Sequence, residues 1–317
     1  MDGGVGGLFE DGAGLVFEHC GAAEAEFFYE EIFTRRCYCH GGVALPLHGA
    51  PVVVDVGASV GLFSLWCLRT NGRARIVAVE PAPRTFAALE RNLAHAHAAT
   101  CVRAAIADRQ GVSTLHVFTD APGESTRHLH ERRMQRRRLQ AHVSQASASL
   151  THLGRDALVA AGVDAAGSAA TDSGGDAKKD ADAHTRVAVT LTTLSALFES
   201  EQIDGVDLLK VDCEGDELEV LRGIHKRHWQ MIRQIAMEAH DYRGRLSEIV
   251  GLLRGHDFHV TVEAQRSGAV RGYHMEIPDT LSLHYVYATR TMSKQQHRRT
   301  SRSTSRNQRD LVKLEHE

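Results

Sequence analysis

The chain has 317 residues and a mass of 34.7 kDa, enough for one large domain or two small ones with a substantial core. Apolar residues at 43% and charged residues at 24% are ordinary for a globular protein, and no apolar run nears the roughly 18–20 residues that span a bilayer. A net charge of −3 gives no global pull toward DNA or RNA, and the six cysteines, scattered without CxxC pairs, argue against a zinc module or a disulfide-stapled secreted fold.

The first stretch, MDGGVGGLFEDGAGLVFEHC, carries acids and no Lys or Arg, so no secretory or transit leader is expected and a cytoplasmic location is. Residues 1–21 read as a flexible, Gly-rich lead. Phe27, Phe28 and Ile32 then recur at helical spacing. The run PVVVDV (51–56) is short, β-branched and wholly apolar apart from Asp55, the pattern of a strand buried on both faces. A glycine turn and a helix over 62–68 follow. RIVAV (75–79) is a second such strand with a helix over 83–94, Cys101–Ala107 a third, and Ser113–Phe118 an edge strand.

The pattern breaks at about 120–185, where Ala, Asp, Gly and Ser dominate after an Arg-rich start. This reads as a low-complexity insertion that cannot bury enough apolar surface to order itself. Its arginines (Arg132, Arg133, Arg136, Arg137, Arg138) read as a solvated face. Strands are expected again at VAVTL (187–191), VDLLKV (206–211), IRQIAME (232–238), FHVTVEA (258–264) and LHYVYATR (283–290), with helices over 216–223 and 245–254. Strand–helix alternation makes a doubly wound, mostly parallel α/β sheet the economical fold, with the last strand antiparallel. One domain over 22–292 is expected, with a disordered basic tail over 293–317.

Two stretches carry chemistry. Asp55-Val56-Gly57-Ala58-Ser59-Val60-Gly61 follows the first strand, where ligands of doubly wound sheets sit. Gly57 allows close backbone approach, Gly61 tight helix packing, and Glu80 at the end of the second strand can accept from both ribose hydroxyls. The dinucleotide fingerprint needs a glycine where Ser59 stands, which disfavours a nicotinamide-dependent dehydrogenase. A nucleoside with a charged tail fits better, and the sulfonium of S-adenosylmethionine (SAM) would favour an acid such as Asp55 beside it. Asp108 could accept from the adenine amino group. The second stretch, Lys210-Val211-Asp212-Cys213-Glu214-Gly215-Asp216-Glu217, concentrates acids at the carboxyl edge of the sheet, and a buried Lys210 needs a carboxylate partner.

The segments VVVDVGASVGLFSL, IVAVEPAPRTFAALERNL, AIADRQGVSTLHVF, VDLLKVDCEGDELEVLRGI and IAMEAH together resemble the FkbM family of SAM-dependent methyltransferases. The resemblance implies a Rossmann-like class I methyltransferase: a seven-stranded, mostly parallel sheet with helices on both faces and O-methylation of a small-molecule, sugar or lipid-headgroup hydroxyl. It places Asp55, Gly57, Ala58, Gly61, Glu80, Pro81, Asp108 and Asp212 at the SAM site, with Asp212 beside the reacting methyl. An alcohol acceptor gains from a base worth roughly 10²–10⁴-fold. Asp212, Glu214, Glu238 and His240 are the candidates, His240 as the group that titrates nearest neutrality. Asp212, Glu238 and His240 could instead hold a divalent metal, although none is expected. A non-catalytic SAM- or RNA-binding scaffold is the other alternative. The sequence names neither the acceptor nor the oligomeric state.

Overall fold

The computed structural model describes residues 6–118, 121–135, 137, 184–265, 267–270, 273–276 and 283–290; the tail over 293–317 and most of the 120–185 stretch lie outside the described residues. The chain opens with a hairpin of β1 (Leu8–Glu10) and β2 (Val16–Glu18), so the lead expected to be flexible is partly ordered. Its anchor is Phe17, buried and stacked on Phe9 at 4.9 Å. Helix α1 (Ala22–Tyr29) runs on into one π-helical turn, Glu30–Thr34.

The main sheet is built from β3 (Val52–Val56), β4 (Arg75–Val79), β5 (Ala99–Val102), β9 (Leu208–Val211), β10 (Gln234–His240), β11 (His259–Ala264) and β14 (Leu283–Thr289). Its spatial order is β11-β14-β10-β9-β3-β4-β5, and β14 runs antiparallel to both neighbours while β3, β4, β5, β9 and β10 are parallel. The expected seven-stranded, mostly parallel sheet is therefore present. The fully buried runs VVDV and LLKV take its centre, and the half-exposed HVTVEA takes an edge, as two-sided and one-sided burial require.

Side-chain alternation sorts the strands into two cores. Val54, Val56, Leu209, Val211, Ile235 and Met237 pack on one face. Val53, Leu208, Ala236, Tyr285 and Tyr287 pack on the other, under α2 (Leu62–Thr70), α3 (Pro83–Leu93) and the N-terminal segment. Asp55, Lys210, Glu238 and His240 share the parity of this second face, so the strand period itself gathers them. Phe63 and Trp66 pack α2 there.

The expected third strand is divided. Ala99–Val102 stays in the main sheet, but β6 (Ala105–Ile106) turns into a second sheet with β7 (Gly111–Phe118) and β8 (His184–Thr192), in the order β6-β8-β7. The edge strand expected at 113–118 thus belongs to this smaller sheet. Phe118 pairs with His184, which brings the two ends of the 120–185 stretch together. Helices α4 (Leu194–Ser200), α5 (Glu217–Arg222) and α6 (Arg245–Gly255) complete the layers, and β12 (Ser267–Val270) with β13 (Tyr273–Glu276) forms a hairpin within the expected long turn.

Candidate functional site

The glycine turn after β3 is shaped by close approach. Gly57 has φ +73°, and a Cβ there would sit 1.6 Å from the backbone oxygen of Asp212. Gly61 has φ +93°, and its Cβ would meet Leu89 Cδ1 at 2.7 Å. Ser59 adopts φ +50° despite its side chain, a conformation that L-residues other than Gly, Asn and Asp seldom take. Its N–H donates to Glu80 Oε2 at 3.0 Å, while Glu80 Oε1 accepts from Ala82 N and Thr85 Oγ1, both at 2.9 Å. Glu80 is buried, and desolvation raises its pKa against those three hydrogen bonds. Ala58 is buried and Pro81 half-buried beside it.

Lys210 ties this turn to the second stretch. Its Nζ donates to the Gly57 carbonyl at 2.7 Å and lies 3.3 Å from Asp55 Oδ1 and 3.5 Å from Asp212 Oδ2, so the carboxylate partner expected for a buried lysine is a pair. Burial disfavours the ammonium, but Asp55 and Asp212 outweigh it and its pKa is raised. Asp55 is fully buried and also accepts from Ser64 Oγ at 2.8 Å. The expectation that Asp55 lies against a sulfonium gives way: its carboxylate sits under the turn, engaged with Lys210 and Ser64. Asp212 accepts from Tyr38 Oη at 2.9 Å, a partner 174 residues away in the chain.

Next to Asp212, Glu214 and Gly215 take φ +53° and +108°, which turns the backbone sharply into α5. His240 is buried between two carboxylates, with Nε2 3.3 Å from Glu214 and Nδ1 3.2 Å from Glu217. Burial alone would lower its pKa, but Glu217 and Glu214 raise it well above the ordinary histidine value. Rather than titrating near neutrality, it is held as an imidazolium, because each ring nitrogen must donate to an acid. Its ring nitrogens thus meet Glu214 and Glu217 rather than Asp212 and Glu238, with which it was grouped as a possible metal set. Among the described residues, the acids and histidines with ligand atoms close enough together to share an ion are His128, Asp216 and Glu219, within 4.8 Å of one another. There Arg127 already grips Asp216 at 2.5 and 2.6 Å, and Arg245 grips Glu219.

Those contacts belong to a cover. Residues 121–135, assigned by composition to the insertion, pack over the site: Thr126 Oγ1 donates to the Glu214 carbonyl at 2.6 Å, and His128 Nε2 lies 2.8 Å from Asp216. Gly123 N donates to Glu24 of α1 at 2.9 Å, and Tyr242 Oη donates to Gln135 at 3.1 Å. Arg132, expected on a solvated face, is buried and paired with Glu124, whereas Arg133 and Arg137 are exposed.

Glu238, half-buried near the end of β10, lies within electrostatic reach of Asp212 and Glu31, and no donor among the described residues reaches its carboxyl. Burial pushes its pKa well up, and Asp212 and Glu31 add to the rise. Glu31, on the π-helical turn, is buried with its pKa pushed up to about 7 by desolvation, although it accepts from Tyr285 Oη. Asp108 stands apart: it is exposed after β6 and paired with Arg109 at 3.1 Å. Tyr38, Glu31 and Glu217 were not singled out from sequence. Glu217 lies in the first turn of α5, where an acid complements the helix dipole, and Glu31 sits among the helically spaced Phe27, Phe28 and Ile32 with no pattern of its own.

A family profile described as "Methyltransferase FkbM domain" matches residues 55–260. A 31-O-demethyl-FK506 methyltransferase from Streptomyces tacrolimicus is 34% identical over 251 residues, covering 79% of this chain and 88% of its own. Methyltransferase sdnD from Sordaria araneosa is 32% identical, covering 75% and 83%. Among solved structures, a precorrin-6y C5,15-methyltransferase from Geobacter metallireducens aligns over 78% of this chain and 83% of its own, with TM-score 0.39 and 13% identity.

Proposed function

Because the chain belongs to the FkbM methyltransferase family, we propose that it takes SAM as methyl donor and methylates a hydroxyl of a small-molecule acceptor. One observation carries this reading: the glycine turn after β3 and Glu80 open on the same sheet edge as the carboxyl cluster ending β9 and β10. The residues present fit a cationic nucleoside. Gly57 keeps the turn free of a side chain, Ser59 exposes backbone in a left-handed turn, and the cluster carries acids without equal positive charge. Glu80 already accepts three donors of the roughly four that a carboxylate can take, so it has one position left for a ribose hydroxyl. In this reading Gly57, Ala58, Gly61, Glu80, Pro81 and Asp212 line the cofactor, Asp108 stands at its adenine end, and Asp55 acts through Lys210.

When bound, SAM supplies a methyl on a sulfonium, which departs without assistance. The chain's task is to hold the acceptor oxygen about 3 Å from that carbon and in line with sulfur, an effect worth about 7–11 kcal/mol. With that methyl passing to the acceptor oxygen, the hydroxyl proton would go to a carboxylate of this chain. In this reading Glu238 takes it, since no donor among the described residues engages its carboxyl. Asp212 is steadied by Tyr38 and Lys210 beside it, and His240 holds Glu214 in place rather than accepting protons. An oxygen acceptor agrees with the printed name of the Streptomyces relative.

The test is calorimetric titration with SAM, followed by incubation of a cell extract with ¹³C-methyl SAM. Binding of SAM and a new methoxyl carbon signal are expected. A protein that does not bind SAM, or that labels only nitrogen or carbon, would overturn the reading.

A further inference from the structure

The cluster ending β9 and β10 holds more carboxyl groups than its cations balance. Lys210 is engaged by Asp55, Asp212 and the Gly57 carbonyl, and His240 by Glu214 and Glu217. Glu238 and Glu31 are left over. The antiparallel register sets Glu238 directly opposite Tyr285, so the two side chains share a face, and the Tyr285 hydroxyl donates to Glu31. The two carboxyls therefore flank one tyrosine. Gln265, only 6% exposed, donates from Nε2 to Tyr285 Oη at 3.0 Å, reaches Glu31 at 3.4 Å, and leaves its Oε1 buried with no donor. Acceptors outnumber donors on this wall, which suits a ligand that brings positive charge.

We infer that Glu31 and Glu238 together hold a proton in the ligand-free protein and release it when a sulfonium enters, so that SAM binds with proton release and S-adenosylhomocysteine without. This rests on the reading that SAM binds here. Like charges on the buried Glu31 and the half-buried Glu238 cannot both be carried cheaply, and a cation beside them reverses that. The groups that face the pair are Asp212 and Lys210 from β9, Glu214 from the following turn, His240 from β10, Tyr285 from β14, and Arg35, Cys37 and Tyr38 from the N-terminal segment. Lys210, His240 and Arg35 are the cations among them; Lys210 and His240 are paired with other carboxylates, and the charge of Arg35 lowers the Glu31 pKa by less than burial raises it.

The proton balance closes over a turnover. One proton goes to solvent as the cofactor binds, leaving an ionised pair. The acceptor hydroxyl then returns one proton to the pair as the methyl moves. The thioether left behind is neutral, so the reprotonated pair no longer attracts it, and product leaves more readily than cofactor arrived. The base is thus ready only when the methyl is present.

Calorimetry of the full chain at pH 7 in buffers of differing ionisation enthalpy reads the proton count directly. About one proton released with SAM and none with S-adenosylhomocysteine is expected, with SAM affinity rising up to about tenfold per pH unit between pH 6 and 7 and that of S-adenosylhomocysteine nearly flat. In E31Q and E238Q, SAM should still bind while the difference in proton count between the two ligands disappears. Equal counts for both ligands in the wild type, or an unchanged difference in both variants, would overturn the inference. Should either variant misfold by thermal melting, the wild-type comparison decides alone. A protein that binds neither ligand would instead overturn the cofactor reading.

Discussion

Gly57 and Gly61 look alike in sequence, yet the structure separates them. An alanine at 57 meets a backbone oxygen that cannot move, while at 61 it meets the end of a leucine side chain that can. G57A is expected to lose SAM affinity by tenfold or more and to destabilise the fold by well over the roughly 1–2 kcal/mol of a left-handed residue, whereas G61A loses about that much. Calorimetry and urea denaturation check both. Lys210 supports the same turn from below. K210M leaves Asp55 buried without its counter-charge, and about 3–5 kcal/mol of stability should go, part of it restored in the K210M/D55N double variant; recovery in neither midpoint nor slope would show that the pair is not what holds the turn. Asp216 gives the pH prediction. Burial raises its pKa, but the His128 and Arg127 hydrogen bonds more than offset this and the folded value lies below the ordinary one. A depressed carboxyl stabilises the fold above its unfolded pKa of about 4 and loses that contribution as pH falls through the folded value. D216N should therefore lower stability at pH 6 by about 1.5–3 kcal/mol and flatten the acid limb of the stability curve.

At the scale of elements, the long apolar strands were legible because burial on both faces leaves a continuous hydrophobic run, and β3, β4, β9 and β10 lie within two residues of their expected bounds. What escaped was short or conditional. β1 and β2 span three residues each and β6 two, too few for any period to register, and each exists because a partner strand satisfies its backbone. The cover over 121–135 escaped for a different reason. Its Thr126, Arg127, His128 and Arg132 are polar, so composition assigned them to solvent, but Thr126 bonds the Glu214 carbonyl, Arg127 and His128 meet Asp216, and Arg132 pairs with Glu124 within the cover, which buries Thr126 and Arg132 and half-buries the other two. R127M should release this cover: amide hydrogen exchange over 121–135 is expected to speed up at least tenfold while the central strands stay protected. Unchanged exchange would mean that Thr126 and Tyr242 hold it without the arginine.

At the scale of the whole molecule, β7 and β8 come together at Phe118 and His184, so the chain between them leaves and re-enters at one place. Replacing residues 141–181 with a short Gly-Ser linker should then keep SAM affinity within about threefold, since loop length costs little entropy. A loss of binding would give the low-complexity stretch a place in the site. The sequence by itself determined the sheet, its parallel sense, the glycine turn and the acid-rich turn after β9, because periodicity and buried runs are local properties of the chain. Only the tertiary structure decided how those acids are paired. Asp55 went under the turn, His240 became a cation between Glu214 and Glu217, and Tyr38 and Glu31 reached a cluster some 170 to 250 residues away. The charge state of a carboxyl depends on burial and on neighbours brought by the fold, and neither is written in its own stretch of chain.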